Sequence, residues 1–191
     1  MRAPEVVLVR HGETEWAREG RHTGRTDVPL TDAGRREGER LRSRLAERRF
    51  ALVLTSPLAR AADTCRLAGL GAGAQARPDL AEWDYGRYEG RTTADIRAEV
   101  PEWSLWRDGC PDGETAADIG KRADRVAAEL RELDGDAAVF AHGHLLRVLA
   151  ARWLGMAPEA GGSFGLSTAA ISILGYEHDS PVIWLWNDLS S

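Results

Sequence analysis

Val6-Val7-Leu8-Val9-Arg10-His11-Gly12 is the stretch that decides the fold. Four apolar residues in a row, mostly β-branched, mark a strand buried on both faces, as in the interior of an α/β sheet. The run stops abruptly at a charged turn. The same unit returns twice: Ala51-Leu52-Val53-Leu54 stops at Thr55-Ser56-Pro57, and Ala137–Ala141 stops at His142-Gly143-His144. Pro57 suits the first turn of a helix carrying Arg60, Thr64 and Leu67, and a helical segment over 145–154 follows the third strand. Between the first two units, Thr31 and Asp32 open an Arg/Glu-rich helix that runs to about Arg49 with Leu41 and Leu45 on its inner face. Residues 169–175 and 181–186 read as two closing strands, and 69–100 as a turn-rich connection over the sheet edge. Alternating strand and helix predicts an α/β fold: a three-layer α/β/α sandwich with a mostly parallel central sheet and helices on both faces.

Length and composition agree with one such domain. A chain of 191 residues, 43% hydrophobic, buries roughly 70% of its extended surface on folding, which excludes a disordered or disulfide-dependent chain. We expect a single domain over 1–191, with 69–136 partly an insertion that caps the site. Cys65 and Cys110 lack a C-x-x-C spacing and read as reduced, buried thiols. No apolar run approaches the ~20 residues of a membrane span, and Met1-Arg2-Ala3-Pro4-Glu5 leads into the first strand without a long apolar leader, so the expected compartment is the cytoplasm. The charge balance, 25 basic against 30 acidic residues, is −5, which gives no general attraction to nucleic acid or membrane. Lys121 is the only lysine, and the basic stretch from Arg35 to Arg49 is interleaved with Glu37, Glu39 and Glu47, the pattern of a solvated helix face. Any anionic ligand must therefore be held locally.

Strand ends are where that can happen. In open α/β sheets, ligands bind beyond the carboxyl ends of the strands, where residues far apart in sequence converge. Here those ends carry Arg10-His11, Ser56 to Arg60, and His142. Arginine forks, imidazoles and helix N-termini at one focus describe an oxyanion site, with phosphate the natural candidate.

The residues around these ends resemble a known family. Leu8-Val9-Arg10-His11-Gly12-Glu13-Thr14-Glu15-Trp16 is similar to the opening motif of the histidine phosphatase superfamily, in its phosphoglycerate-mutase-like branch. Further blocks follow in order: His22 to Thr31, Ser56-Pro57-Leu58-Ala59-Arg60-Ala61, Glu82 to Gly90, and Val139 to Gly143. The likeness runs toward small bacterial acid phosphatases and sugar-bisphosphatase-like members. It implies that His11 is a nucleophile forming a phosphohistidine, that Glu82 is the proton donor, and that Arg10, Arg60 and His142 form the phosphate pocket. Thr23 and Gly24 lie where the family contacts substrate, and Tyr85 is placed to line the pocket mouth. After Trp16 the branch often carries Asn, whose amide helps hold phosphate; here the residue is Ala17, one donor fewer. No metal or other cofactor is implied, because arginines take the place of a divalent cation.

Physical chemistry gives each role a reason. His11 must present an unprotonated nitrogen, with its other nitrogen bonded to a carbonyl to fix the tautomer. Arg10, Arg60 and a protonated His142 would neutralise the charge that phosphoryl transfer spreads over the equatorial oxygens. A bound dianion keeps the neighbouring Glu82 carboxyl protonated, ready for the departing alkoxide, and favours an acidic pH optimum. Trp83 and Tyr85 read equally as loop packing or substrate contact, Trp103 and Trp106 as core packing of a short helix, and His144 as structural. Trp184 and Trp186 form a candidate dimer edge.

The expected function is thus a metal-independent phosphomonoesterase acting on a small phosphorylated metabolite. A phosphoglycerate-mutase-type transfer is the alternative. It needs extra cations between the acid and the last histidine, where Arg91, Arg97 and Arg107 are scattered. A metal-dependent hydrolase built on His142-x-His144 with His11 and Glu82 would place Arg10 and Arg60 against a divalent cation. A non-catalytic phosphate-binding module would need neither nucleophile nor acid.

Overall fold

The computed structural model describes residues 4–190; Met1 to Ala3, at the head of the leader reading, lie outside the described residues. The chain runs β1 (Val6–Arg10), α1 (Glu15–Arg18), α2 (Asp32–Leu45), β2 (Leu52–Thr55), α3 (Ala59–Leu67) and a two-residue β3 (Gln75–Ala76). It continues through α4 (Thr93–Glu99), α5 (Leu105–Asp108), α6 (Ala116–Arg131), β4 (Ala137–Ala141), α7 (Gly143–Trp153), β5 (Ile171–Glu177) and β6 (Ser180–Asp188). The sheet order is β3-β2-β4-β1-β5-β6. β1, β2, β3 and β4 pair in parallel, while β5 joins β1 antiparallel and closes with β6 as a hairpin. Among the described residues no helix is long and apolar enough to cross a membrane.

Strand alternation divides the core. Val7, Val9, Ala138 and Phe140 face α2 and α3 and pack with Leu41, Leu45 and Cys65. Val6, Leu8, Val139 and Ala141 face the other way, against Ile119, Val126 and Leu130 of α6 and Leu145, Leu149 and Trp153 of α7. Period-two alternation in strands flanked by helices on both sides makes the three-layer sandwich. The central strands are apolar on both faces because both faces are covered.

Several element ends differ from the sequence reading. α2 stops at Leu45, and Arg48 then folds back to pair with Glu5 at 2.9 Å. α3 begins at Ala59, so Pro57 precedes the helix. Its first N–H groups find partners outside the helix: Leu58 N–H bonds Ser56 Oγ at 3.2 Å, and Ala59 N–H bonds the Asp27 carboxylate at 3.0 Å. Within 69–136 the chain adds the edge strand β3 and the long helix α6, which packs on α7 as part of the outer layer. The signal for α6 is Thr115-x-x-Asp118, a capping box with both reciprocal bonds formed, ahead of Ile119, Ala123, Val126 and Leu130 at helical spacing. Trp184 is half exposed on β6, whereas Trp186 packs beside Phe164 and donates its indole N–H to Gly165 O.

Candidate active site

The carboxyl ends of β1 and β4 open into a cavity of about 270 Å³ whose wall includes Arg10, His11, Thr23, Glu82, Tyr85 and Gly143. Beside it, the loop after β1 passes closely under α2. A Cβ on Gly12 would come within 2.4 Å of Gly34 O, and one on Gly34 within 2.1 Å of Glu13 O, so the two backbones touch. Thr64 of α3 ties this loop from the side. Its hydroxyl accepts from Gly12 N–H at 3.0 Å and donates to Arg60 O at 2.7 Å.

His11 is buried, and its Nδ1 lies 2.8 Å from Gly12 O. A carbonyl only accepts, so Nδ1 carries the proton and Nε2 keeps its lone pair. Burial first, then Arg10 and Arg60, hold the His11 pKa well below 6.5; Nε2 is therefore free at neutral pH. Arg10 donates from Nη1 to Leu166 O at 2.5 Å, while its buried Nε has no hydrogen-bond partner among the described residues. A buried guanidinium donor left empty is costly, about 1–3 kcal/mol, unless a ligand atom fills the place. Gly143 supplies the room, since a Cβ there would lie 3.3 Å from the Arg10 guanidinium carbon.

Glu82 is fixed by α7. One oxygen accepts from Trp83 N–H at 2.9 Å and Leu145 N–H at 3.0 Å, the other from His144 N–H at 3.0 Å. His142, at the start of α7, makes no side-chain cap; the cap is the carboxylate of Glu82, which takes the favoured anionic position at a helix N-terminus.

Arg60 and His142 lie behind His11 and off the cavity wall. Arg60 is fully buried and spends its donors on Thr26 O at 2.9 Å, Thr23 O at 3.0 Å, Gly24 O at 2.9 Å and His142 Nδ1 at 3.2 Å. That last bond corrects one expectation. Because Nδ1 of His142 accepts, the ring is neutral, its proton sits on Nε2, and it donates to Ser56 Oγ at 2.7 Å. Burial, then Arg60 and His11, push the His142 pKa well below 6.5. The ring packs against His11, with centroids 5.2 Å apart.

Thr23 reaches the wall, whereas Gly24 lies beneath it, its N–H bonded to Glu89 and its carbonyl to Arg60. Tyr85 lines the cavity and its hydroxyl is hydrogen-bonded to His144 Nδ1 at 2.6 Å. Trp83 is fully buried, donating to Glu114 O at 2.9 Å, and Trp103 is buried beside His22. His144, read from sequence as structural, is a wall residue. So are His22, Thr93 and Arg147, which the sequence reading gave no role, and Ala17. His22 was inside a quoted block; Arg147 had only its position four residues after Gly143 on α7 to mark it. Both ring nitrogens of His142 and the Nδ1 of His144 are engaged with protein groups, so His142-x-His144 presents no paired lone pairs for a metal ion. Among the described residues no cluster of three or more His, Cys, Asp or Glu is placed to hold one.

An α/β sheet with a neutral imidazole, a buried guanidinium and a fixed carboxylate at its strand ends defines the class: an enzyme of oxyanion chemistry. The sequence comparisons supply the family. The histidine phosphatase superfamily (branch 1) matches residues 6–189, and the chain belongs to it and is a phosphatase of that family. It is 43% identical over 182 residues to an acid phosphatase of Mycobacterium tuberculosis, covering 93% of this chain and 89% of that one. To the sedoheptulose 1,7-bisphosphatase of Saccharomyces cerevisiae it is 38% identical over 188 residues, 80% of this chain and 68% of that one. Among solved structures, an open reading frame product of Mycobacterium tuberculosis superposes with a TM-score of 0.92 at 40% identity, covering 97% and 98% of the two chains. A mycobacterial glucosyl-3-phosphoglycerate phosphatase complexed with VO3 superposes at 0.86 with 28% identity, covering 97% and 99%.

Proposed function

We propose that this protein hydrolyses small phosphomonoesters through a phosphohistidine on His11, without a metal ion. The observation that carries the reading is that one cavity is lined by His11, whose Nδ1 is committed to Gly12 O, and by Arg10, whose buried Nε has no hydrogen-bond partner among the described residues. The first is a nucleophile with its tautomer fixed; the second is a donor awaiting an oxygen. In the first step, which Glu82 enters as the protonated acid beside the bound dianion, Nε2 attacks phosphorus, an N–P bond forms, the ester P–O bond breaks, and the leaving alkoxide takes the proton from Glu82. In the second, Glu82 as carboxylate takes a proton from water, the hydroxide attacks phosphorus, the N–P bond breaks, and phosphate leaves. Arg60 and neutral His142 act from behind: Arg60 holds loop 23–26 and the His142 ring by hydrogen bonds and lends positive charge at short range.

The cavity size suits a small metabolite, and phosphorylated small molecules are what the named relatives act on. A mutase must hold off water with extra cations, and the arginines of the covering segment are committed elsewhere: Arg91 to Glu99 and Arg107 to Asp108, both at 2.7 Å, and Arg97 to Trp103 O at 2.8 Å. The cytoplasm remains our proposed compartment, and a homodimer across the Trp184 edge our proposed assembly. The test is phosphate release from a panel of phosphorylated sugars, glycerates and nucleotides in EDTA, with His11→Ala alongside. Release that survives EDTA and is abolished in a folded His11→Ala protein is expected. Substantial residual turnover in that variant would overturn the nucleophile.

A further inference from the structure

Two consecutive residues of β6, Trp186 and Asn187, stand opposite the single residue Ser172 of β5, because the pairing steps from Ile173 with Leu185 to Ile171 with Asp188. Two residues against one make a β-bulge, a device that re-aims side chains. Asn187 takes the left-handed backbone region this bend uses, at φ 57°, and asparagine is one of the few residues that sit there routinely. Ser172, fully buried, holds the bend by accepting Asn187 N–H on its Oγ at 3.0 Å. In a regular strand, neighbouring side chains point to opposite faces. At the bulge both reach one loop: Trp186 Nε1 donates to Gly165 O at 2.6 Å, and Asn187 Oδ1 accepts from Ser167 N–H at 2.7 Å.

The residue between those two anchors is Leu166. Its carbonyl accepts from Arg10 Nη1 at 2.5 Å, and it forms part of the cavity wall. Residues 164–170 belong to no helix or strand, so what grips this loop from outside sets the position of that carbonyl. Farther along, Ala169 N–H is shared between Arg10 O at 3.1 Å and His11 O at 3.2 Å, with Ala169 at φ 52°, a strained value for alanine. The loop therefore holds Arg10 twice, by its backbone through Ala169 and by its guanidinium through Leu166. The clamp from β6 secures the second hold.

We propose that Asn187, with Trp186 beside it, is a positioning residue: it lies off the cavity wall and, by fixing Leu166 O, aims the Arg10 guanidinium at a bound phosphoryl group. The proposal rests on the phosphatase reading for the role of Arg10. Once the clamp is gone, Leu166 O drifts and the guanidinium follows its acceptor, so the donor facing the phosphoryl oxygen is misplaced.

The experiment measures the Kd of inorganic phosphate by calorimetry, together with KM on p-nitrophenyl phosphate and Tm, for the wild type and three variants. Asn187→Gly keeps the left-handed backbone and removes the acceptor. Asn187→Asp keeps both. Trp186→Phe keeps a ring against Phe164 and removes the N–H. Asn187→Gly is expected to raise the phosphate Kd and KM about 5- to 20-fold, part of the contribution of one hydrogen bond to a charged group. Asn187→Asp should recover most of that loss, and Trp186→Phe should move Kd in the same direction as Asn187→Gly. A merely structural role would lower Tm and leave the phosphate Kd of the folded protein alone. An unchanged Kd in folded Asn187→Gly, or an aspartate variant as impaired as the glycine one, refutes the proposal. If Asn187→Gly does not fold, Trp186→Phe decides: a raised Kd supports the clamp and a wild-type Kd refutes it. A wild type that binds phosphate but releases none from any phosphomonoester overturns the phosphatase reading, and the Kd series still judges the clamp. A wild type that binds no phosphate overturns both.

Discussion

Thr64→Val removes one oxygen and keeps the outline of the side chain. In the wild type that oxygen, fully buried, accepts from Gly12 N–H at 3.0 Å and donates to Arg60 O at 2.7 Å. Without it, Gly12 N–H is stranded away from water, at about 1–3 kcal/mol. The Arg60 carbonyl keeps its helical partner, so its loss is near the lower limit, about 0.5 kcal/mol. The added methyl returns about 0.8 kcal/mol. The net destabilisation is about 1–3 kcal/mol, a fall in Tm of about 2–10 °C at this chain length. Activity should suffer separately. Gly12 O orients His11 through a 2.8 Å bond, and a Gly12 peptide that turns to find a new acceptor carries the imidazole with it. A displacement of about 1 Å costs up to ~100-fold, so kcat/KM should drop about 10- to 100-fold. Thr64→Ser is the control: it deletes a buried methyl, at about 1 kcal/mol, but keeps both hydrogen bonds. Urea denaturation and p-nitrophenyl phosphate turnover on the two variants separate the effects, because their stability losses overlap while their activities should differ. Full activity in Thr64→Val, or equal impairment in Thr64→Ser, would refute the idea that this hydroxyl positions His11.

Glu82→Gln should lower turnover of alkyl phosphates far more than that of p-nitrophenyl phosphate, whose leaving group needs no proton; equal losses would argue against general acid catalysis at the first step. Stability should fall on acidification below pH 6.5. Burial depresses His22 to about 4, so between about 6.5 and 4 the unfolded chain binds a proton that the folded one does not. By pH 5 that histidine alone accounts for about 2 kcal/mol, and His11, His142 and His144 are displaced in the same direction. Urea midpoints at pH 7 and pH 5 check this, and an unchanged or higher midpoint at pH 5 would contradict it. Gly34→Ala drives a Cβ to 2.1 Å from Glu13 O, so we expect a loss above about 3 kcal/mol; a wild-type melting curve would show that the backbone contact can slide.

The sheet was legible because its central strands are written locally, and the residues that follow those strands could be read off with them. A buried strand needs an unbroken apolar run, and β1, β2 and β4 have one; the chemistry follows directly at Arg10-His11 and His142. Glu82 was reached through resemblance alone, since no periodicity points to it. α6 was legible in principle from Thr115, Asp118 and the apolar spacing after them, but its polar face, rich in Arg and Asp, hides it among the turns around it. β3 is two residues of Gln75 and Ala76, too short for any alternation to show. The charge state of His142 was not legible at all: it depends on whether Arg60 reaches Nδ1, a contact across 82 positions of sequence.

The same limit applies to the arginines, and it explains why their abundance said so little. With nearly every basic residue an arginine, what matters is which ones the fold leaves without a carboxylate, and pairing is decided by long-range geometry. Arg122 shows the common outcome, forked onto Glu114 at 2.7 Å and onto the carbonyls of Asp79 and Ala81, so that it splints the Glu82 loop to α6. Carboxylates are distributed by the same logic. Asp27 closes the N-terminus of α3 and Glu82 that of α7, each from a loop remote in sequence. Because those loops cap the helices that follow β2 and β4, the N–H groups that stabilise each helix also position the residues facing the cavity. Loosening the Glu82 loop would therefore uncap α7 and displace the Glu82 carboxylate from the cavity wall in one event, which couples the stability of this layer to the site beside it.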